Sequence, residues 1–147
     1  MIQRIQTLYL LVSTILVSLL LFMPFAEIAK DGVVYIFNLT GILLESNVIW
    51  NGIAILVMIG VILFLQVFAI LNFKKRPSQI RLIYYSILGL VILFSIFFIT
   101  AYFSFSREQT SFKISHVFPI IAIILNYLAI RAIKKDEALI RSIDRIR

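Results

Sequence analysis

The chain has 147 residues, of which 62% are apolar and only 14% charged, and its mean hydropathy is +1.06. Soluble domains run at roughly 45–50% apolar and about 25% charged residues, so this composition points to a membrane protein. The absence of cysteine excludes a disulfide framework, thiol redox chemistry and thiolate metal sites, and the net charge of +7 falls at positions that suit lipid rather than nucleic acid.

Four stretches carry no formal charge: Ile5–Ala26, Ser46–Phe73, Leu82–Ser106 and Ile114–Ile130. Their lengths bracket the ~20 residues with which a helix crosses ~30 Å of hydrocarbon, and they are apolar all round rather than alternating as barrel strands do. They predict an all-α membrane fold, a four-helix transmembrane bundle with spans over about residues 5–26, 48–72, 82–105 and 115–133 and a helical tail over 134–147. The fourth reaches full length by continuing through Arg131, because an arginine near a helix end snorkels to the interface.

The first span begins after Arg4 and ends in "MPFAEIA", which has some look of a cleavable signal. Its apolar run exceeds the usual core of about 7–15 residues, and Pro24 stands badly for cleavage after Ala26, so an uncleaved helix is expected. Between the first two spans, "DGVVYIF" and "NLTGILLE" combine glycine turns with β-branched and aromatic residues. They predict a small outer cap with a short β-hairpin at most. Asn38-Leu39-Thr40 matches a glycosylation triplet but reads as turn chemistry.

The loop "NFKKRPSQIR" joins the second and third spans, with Pro77 expected to end the second helix. Lys74, Lys75, Arg76 and Arg81 are its candidate contacts to anionic lipid headgroups, besides fixing topology. "SHVFP" opens the fourth span: Ser115 is the expected N-cap, and Pro119 is tolerated in the first turn. His116 is the sole histidine. Ser115 and His116 as adjacent helix residues would not face one another, so they make a poor catalytic pair, and no second metal ligand is near.

Arg4, Lys74, Lys75, Arg76, Arg81, Arg131, Lys134, Lys135, Arg141, Arg145 and Arg147 fall on one side of this arrangement, and only Lys30, Arg107 and Lys113 on the other. The positive-inside rule therefore assigns both termini to the cytoplasm. Tyr9, Tyr84, Tyr85 and Tyr127 fall at the inner boundary, and Trp50 and Tyr102 at the outer one, as aromatic belts do.

No Asp, Glu, Lys or Arg lies within the four stretches. Intramembrane ionisable groups cost about 2.5–3.5 kcal/mol on insertion scales and persist where ions or protons are handled, so ion-coupled transport is disfavoured. The polar side chains that stand out within them are Ser13, Thr14, Ser18, Asn51, Gln66, Ser86, Ser95, Thr100 and Asn126. They serve either interhelical hydrogen bonding or a pore or ligand site, with Gln66 and Asn126 the principal candidates for intramembrane polar contacts. Gly52, Gly60 and Gly89 are candidates for close helix approach within the bundle.

The tail "AIKKDEALIRSIDRIR" lacks Gly and Pro, so the fourth helix is expected to continue into it. Leu139, Ile140, Ile143 and Ile146 recur at helical spacing, and Glu137 with Arg141 and Asp144 with Arg147 make favourable pairs. Leu139, Ile140, Arg141, Ile143, Asp144 and Arg145 form the candidate partner-docking face. Its acidic residues dilute the basic character of a membrane-binding helix, which favours a protein contact.

The opening "MIQRIQTLYLLVSTI" and closing "LAIRAIKKDEALIRSIDRIR" resemble an integral membrane family of Bacteroidota known as a domain of unknown function, family 4293. The resemblance covers the whole chain and implies an inner-membrane location in a Gram-negative cell, without an activity, cofactor or catalytic residue to transfer. The expected function is non-enzymatic, a small membrane subunit or scaffold acting through its tail and outer loop. A transporter or channel for an uncharged or lipophilic solute is the alternative, and a membrane enzyme acting on lipid the second alternative. The expected partners are the lipid bilayer and a protein, either a different chain or a second copy. No cofactor, metal ligand, catalytic residue or nucleic acid is expected.

Overall fold

Four helices and five strands occupy the described part of the chain, residues 5–30, 33–38, 41–44, 47–73, 75–104 and 109–144 of a computed structural model. In chain order they are α1 (Ile5–Leu19), β1 (Ala26–Lys30), β2 (Val33–Asn38), β3 (Gly41–Leu44), β4 (Asn47–Asn51), α2 (Ile53–Leu71), α3 (Arg76–Ser104), β5 (Gln109–Phe112) and α4 (Phe118–Asp144). A single 3₁₀ turn, Ile114–Val117, leads into α4.

Buried positions recur at three- and four-residue steps along every helix. They are Gln6, Leu10, Ser13 and Val17 in α1, and Ile55, Ile59, Ile62, Gln66 and Ala69 in α2. In α3 they are Gln79, Ile83, Ser86, Leu90, Leu93 and Phe97, and in α4 Ala122, Asn126, Ala129, Ile130 and Ile133. Alternating steps of three and four keep one seam facing the neighbours, as in left-handed helix packing. Val17 shares a buried cluster with Ala122, and Leu10 shares another with Ala129 and Ile133, so α1 and α4 run antiparallel. α1 packs against α4 and α2, and α3 against α2 and α4.

The outward faces are as apolar as the inward ones. Phe64 and Leu71 of α2 are each 66% exposed, and Leu88, Phe98, Ile99, Ile124 and Tyr127 are exposed on α3 and α4. So continuous an apolar surface is unsuited to water and suited to lipid. Three of the helices, α2, α3 and α4 with its leading turn, are long and apolar enough to cross a membrane.

The loop regions depart from the sequence expectation. The expected hairpin is present as β2–β3, but it is only part of a larger antiparallel sheet, in which the five described strands run in the order β4-β3-β2-β1-β5. The predicted start of the second span at residue 48 is therefore corrected: Asn47–Asn51 is the edge strand β4, and the helix begins at Ile53. A short apolar β-branched run fits a strand as well as a helix, and the backbone partner in β3 decides between them. The first helix also stops early, at Leu19, and Ala26 is already paired with Phe37 and Phe112. At 15 residues, α1 is shorter than the expected span.

Pro77 proves to be the second residue of α3 rather than the end of α2, where its missing N–H leaves no helical bond unmade. The third helix accordingly starts at Arg76 and not near residue 82. α4 continues without interruption to Asp144, as the composition of the tail predicts. Gly41 has a φ of 123°, a conformation closed to ordinary side chains, and its pairing with Asn38 makes the β2–β3 turn. The Asp31-Gly32 turn and residues 39 and 40 of the glycosylation triplet lie outside the described residues.

The sheet rests on one end of the helices through an aromatic cluster. Phe25, just before β1, lies 4.2 Å from the Phe97 ring of α3, and Phe37 of β2 meets Phe25 edge-on at 5.4 Å. All three rings are buried. Backbone bonds from Phe25 N–H to the Phe37 carbonyl and from Lys113 N–H to the Phe25 carbonyl tie the entry and exit of the sheet together.

Candidate functional site

The interior is divided by a polar layer to which each helix contributes one fully buried side chain: Ser13, Gln66, Ser86 and Asn126. The Gln66 amide donates from Nε2 to Ser13 Oγ at 2.9 Å, and the Ser13 hydroxyl donates to the Ala122 carbonyl at 3.4 Å, so one chain of bonds links α2, α1 and α4. Asn126 Nδ2 donates to Ser86 Oγ at 3.3 Å and links α4 to α3. Toward the sheet lies an apolar cluster that includes Val17, Leu20, Ile59, Ile62, Leu90, Leu93 and Ala122. Toward the tail lies a second, of Leu10, Ala69, Ile83, Ala129, Ile130 and Ile133.

Two of the layer's polar atoms have no partner. Gln66 Oε1 and Asn126 Oδ1 are buried without a hydrogen-bond donor among the described residues. A second pair of glutamines, Gln6 and Gln79, is buried near the tail end of α1 and α3 and also carries unpartnered amide atoms. The sequence reading identified Gln66 and Asn126 and missed Gln6 and Gln79, which lie at the extreme ends of their helices. The signal was present: Gln6 precedes Ser13 by seven residues, and Gln79 precedes Ser86 by the same heptad step.

Three other polar side chains of the helices close on their own backbone. Thr14, Ser18 and Ser95 donate to the carbonyls of Leu10, Ile15 and Val91. At the sheet end, Lys113 Nζ lies 2.8 Å from Glu27 Oε1, with both side chains part-exposed. Ser115 corrects the N-cap expectation: it sits inside the 3₁₀ turn, whose N-cap is Lys113, and its buried hydroxyl donates to the Pro24 carbonyl. His116 lies against Phe94, with ring centroids 5.0 Å apart. Among the described residues, no cluster of three or more His, Asp or Glu side chains is placed to hold a metal ion.

The model of the family described as a domain of unknown function, DUF4293, matches residues 2–146. The chain belongs to this family. No curated protein and no solved structure matches it. The DUF4293 match takes in the polar layer and also both termini, including the continuous α4 with its charged end.

In this DUF4293 chain the tail end of the helices carries the basic residues. Lys75, Arg81, Arg131, Lys134 and Lys135 are exposed, and Arg76 is half-buried. Lys134 Nζ lies 3.4 Å from Tyr84 Oη, joining α4 to α3 where Tyr85 and Tyr127 are also exposed. Lys74 lies outside the described residues. Of the candidate docking face, Leu139 is exposed; the α4 backbone places Ile140, Arg141, Ile143 and Asp144 on the same helix, their side chains lying outside the described set, as does Arg145 entirely.

Proposed function

We propose that the chain is a non-enzymatic, multi-pass protein of the bacterial inner membrane, built as a four-helix transmembrane bundle with both termini in the cytoplasm. In this reading it is a subunit or scaffold that engages a partner protein through the α4 tail, with the sheet as a cap on the opposite side. The observation that carries it is the length of α4. Its 27 residues span about 40 Å at ~1.5 Å per residue, against ~30 Å of hydrocarbon, so the last turns emerge as a rigid extension of a membrane helix. Rigid presentation lowers the ordering cost that a flexible tail would incur on docking. The exposed Lys75, Arg81 and Lys134 with the neighbouring tyrosines suit anionic lipid headgroups, which would hold the tail at a fixed height above the membrane.

Solute passage finds less support. The polar layer is flanked on both sides by fully buried apolar clusters, and its two amides donate in helix-to-helix bonds. A lipid-directed enzyme finds less still: Glu27 is engaged with Lys113, and the Ser115 hydroxyl with the Pro24 carbonyl.

A photo-crosslinking residue placed at Leu139 of the full chain in native membranes tests the docking role. The expected product is a discrete protein adduct heavier than the 16.9 kDa chain, greatly reduced when Ile140, Ile143 and Ile146 are replaced by Ser in a variant that still inserts. Crosslinking to lipid alone, or an adduct indifferent to the three substitutions, removes the docking role.

A further inference from the structure

Gln66 and Asn126 each direct their amide nitrogen to a serine and leave the other polar atom of the amide unpartnered at full burial. Reversing either amide does not help: the oxygen would then meet the serine and the nitrogen would be left over. Whichever way each amide is turned, the same two places call for a partner that donates or accepts as required. Few small groups do both.

The two places lie in the same layer. Gln66 bonds to Ser13, Ser13 bonds to the carbonyl of Ala122, and Asn126 follows Ala122 by one turn on the same face of α4. Two hydrogen bonds and one turn of α4 thus connect the two amides, and a water molecule can join two acceptors up to about 5.6 Å apart. The Ser86 hydroxyl, which accepts from Asn126, also retains a proton to donate. A buried water is held where two to four polar partners converge, and Gln66, Asn126 and Ser86 supply three.

We propose that Gln66 and Asn126 share a buried water-binding site, completed by Ser86, in the polar layer between the two apolar clusters. Water donates to Gln66 Oε1 and to Asn126 Oδ1 and accepts a hydrogen bond from the Ser86 hydroxyl, so both unpartnered oxygens of the layer are satisfied and all four helices are joined through one network. The apolar clusters on either side confine it, making it a structural water rather than part of a continuous aqueous path. Gln6 and Gln79, buried toward the tail end with unpartnered amide atoms of their own, mark the side from which water has the more polar approach.

The test uses the full chain, with ¹⁵N-labelled Gln and Asn side chains, in lipid nanodiscs, and reads magnetisation transfer from water to the side-chain amides. The expected result is a water cross-peak at both Gln66 and Asn126, with the sign of a long-lived bound water. In Gln66→Met, which keeps the volume and removes the amide, the Asn126 cross-peak weakens severalfold. Cross-peaks to lipid acyl chains in place of water, or none at either amide, overturn the site. An Asn126 cross-peak unchanged in Gln66→Met overturns the sharing. The wild-type spectrum decides the presence of water even where the variant does not fold.

Discussion

Ser13 and Ser95 are the same side chain in opposite situations. Ser13 is fully buried and lies between Gln66 of α2 and the Ala122 carbonyl of α4, whereas Ser95 is exposed and donates to Val91 one turn earlier in its own helix. Ser13→Ala leaves the Gln66 amide without its acceptor in an apolar surrounding and is expected to cost about 1 kcal/mol. Ser95→Ala exchanges a local bond for a better helix former, and its expected change is close to zero. Unfolding free energies of the two variants in mixed lipid–detergent micelles check the contrast, and equal losses would show that the layer does not hold the helices together. The sequence shows which residues are polar; it does not show which of them look inward. Thr14 and Ser18 lie near Ser13 on α1 and close on their own backbone, because Ser13 and not they lies on the buried seam with Leu10 and Val17.

Glycine makes the same distinction between elements. A Cβ added to Gly89 of α3 would lie 2.9 Å from Ile62 Cγ1 of α2, whereas one added to Gly60 would meet nothing within 4 Å. The sequence reading treated both as sites of close approach; the structure retains Gly89 and places Gly60 on an exposed face. Gly89→Ala is expected to lose about 1–2 kcal/mol by forcing α2 and α3 apart. Gly60→Ala is expected to gain up to about 1 kcal/mol through helix propensity. Thermal unfolding of both variants measures the difference, and Gly89→Ala combined with Ile62→Ala should lose less than the sum of the two single losses if the contact is responsible. The helices were legible because uncharged runs of this length have few other solutions. The sheet was not. β4 reads as a continuation of the following helix, and β5 is a polar strand, "QTSF", that acquires its partner β1 from a part of the chain some eighty residues earlier.

For the molecule as a whole, the proposed orientation has a direct test, because the chain contains no cysteine. Ser111 at the sheet end and Lys135 at the tail end are both exposed and can each be changed singly to Cys. A membrane-impermeant maleimide, given access to the periplasm of intact cells, should label Ser111→Cys at once and Lys135→Cys only after the inner membrane is breached. The reverse order would invert the topology, and simultaneous labelling would deny a sealed separation between the two ends. In the proposed orientation the Glu27–Lys113 pair lies on the periplasmic side. Its part-exposed geometry predicts only a small effect on stability, about 0.2–1 kcal/mol at most and reduced by salt.

Composition alone determined the solvent: charges confined to the helix connections and ends, with long apolar runs between them, demand lipid, and continuous helix is the simplest way to satisfy their backbone there. The unbroken α4 tail was equally local, since nothing in its composition stops a helix. Tertiary structure decided what those runs could not encode, because residues apolar on every side carry no mark of which side faces a neighbour. Helix packing selected Gln6, Ser13, Gln66, Gln79, Ser86 and Asn126 as inward residues, and pairing between distant strands turned the loops into a sheet. Both choices depend on contacts between segments far apart in the chain, of which the heptad steps from Gln6 to Ser13 and from Gln79 to Ser86 carry only a partial local trace.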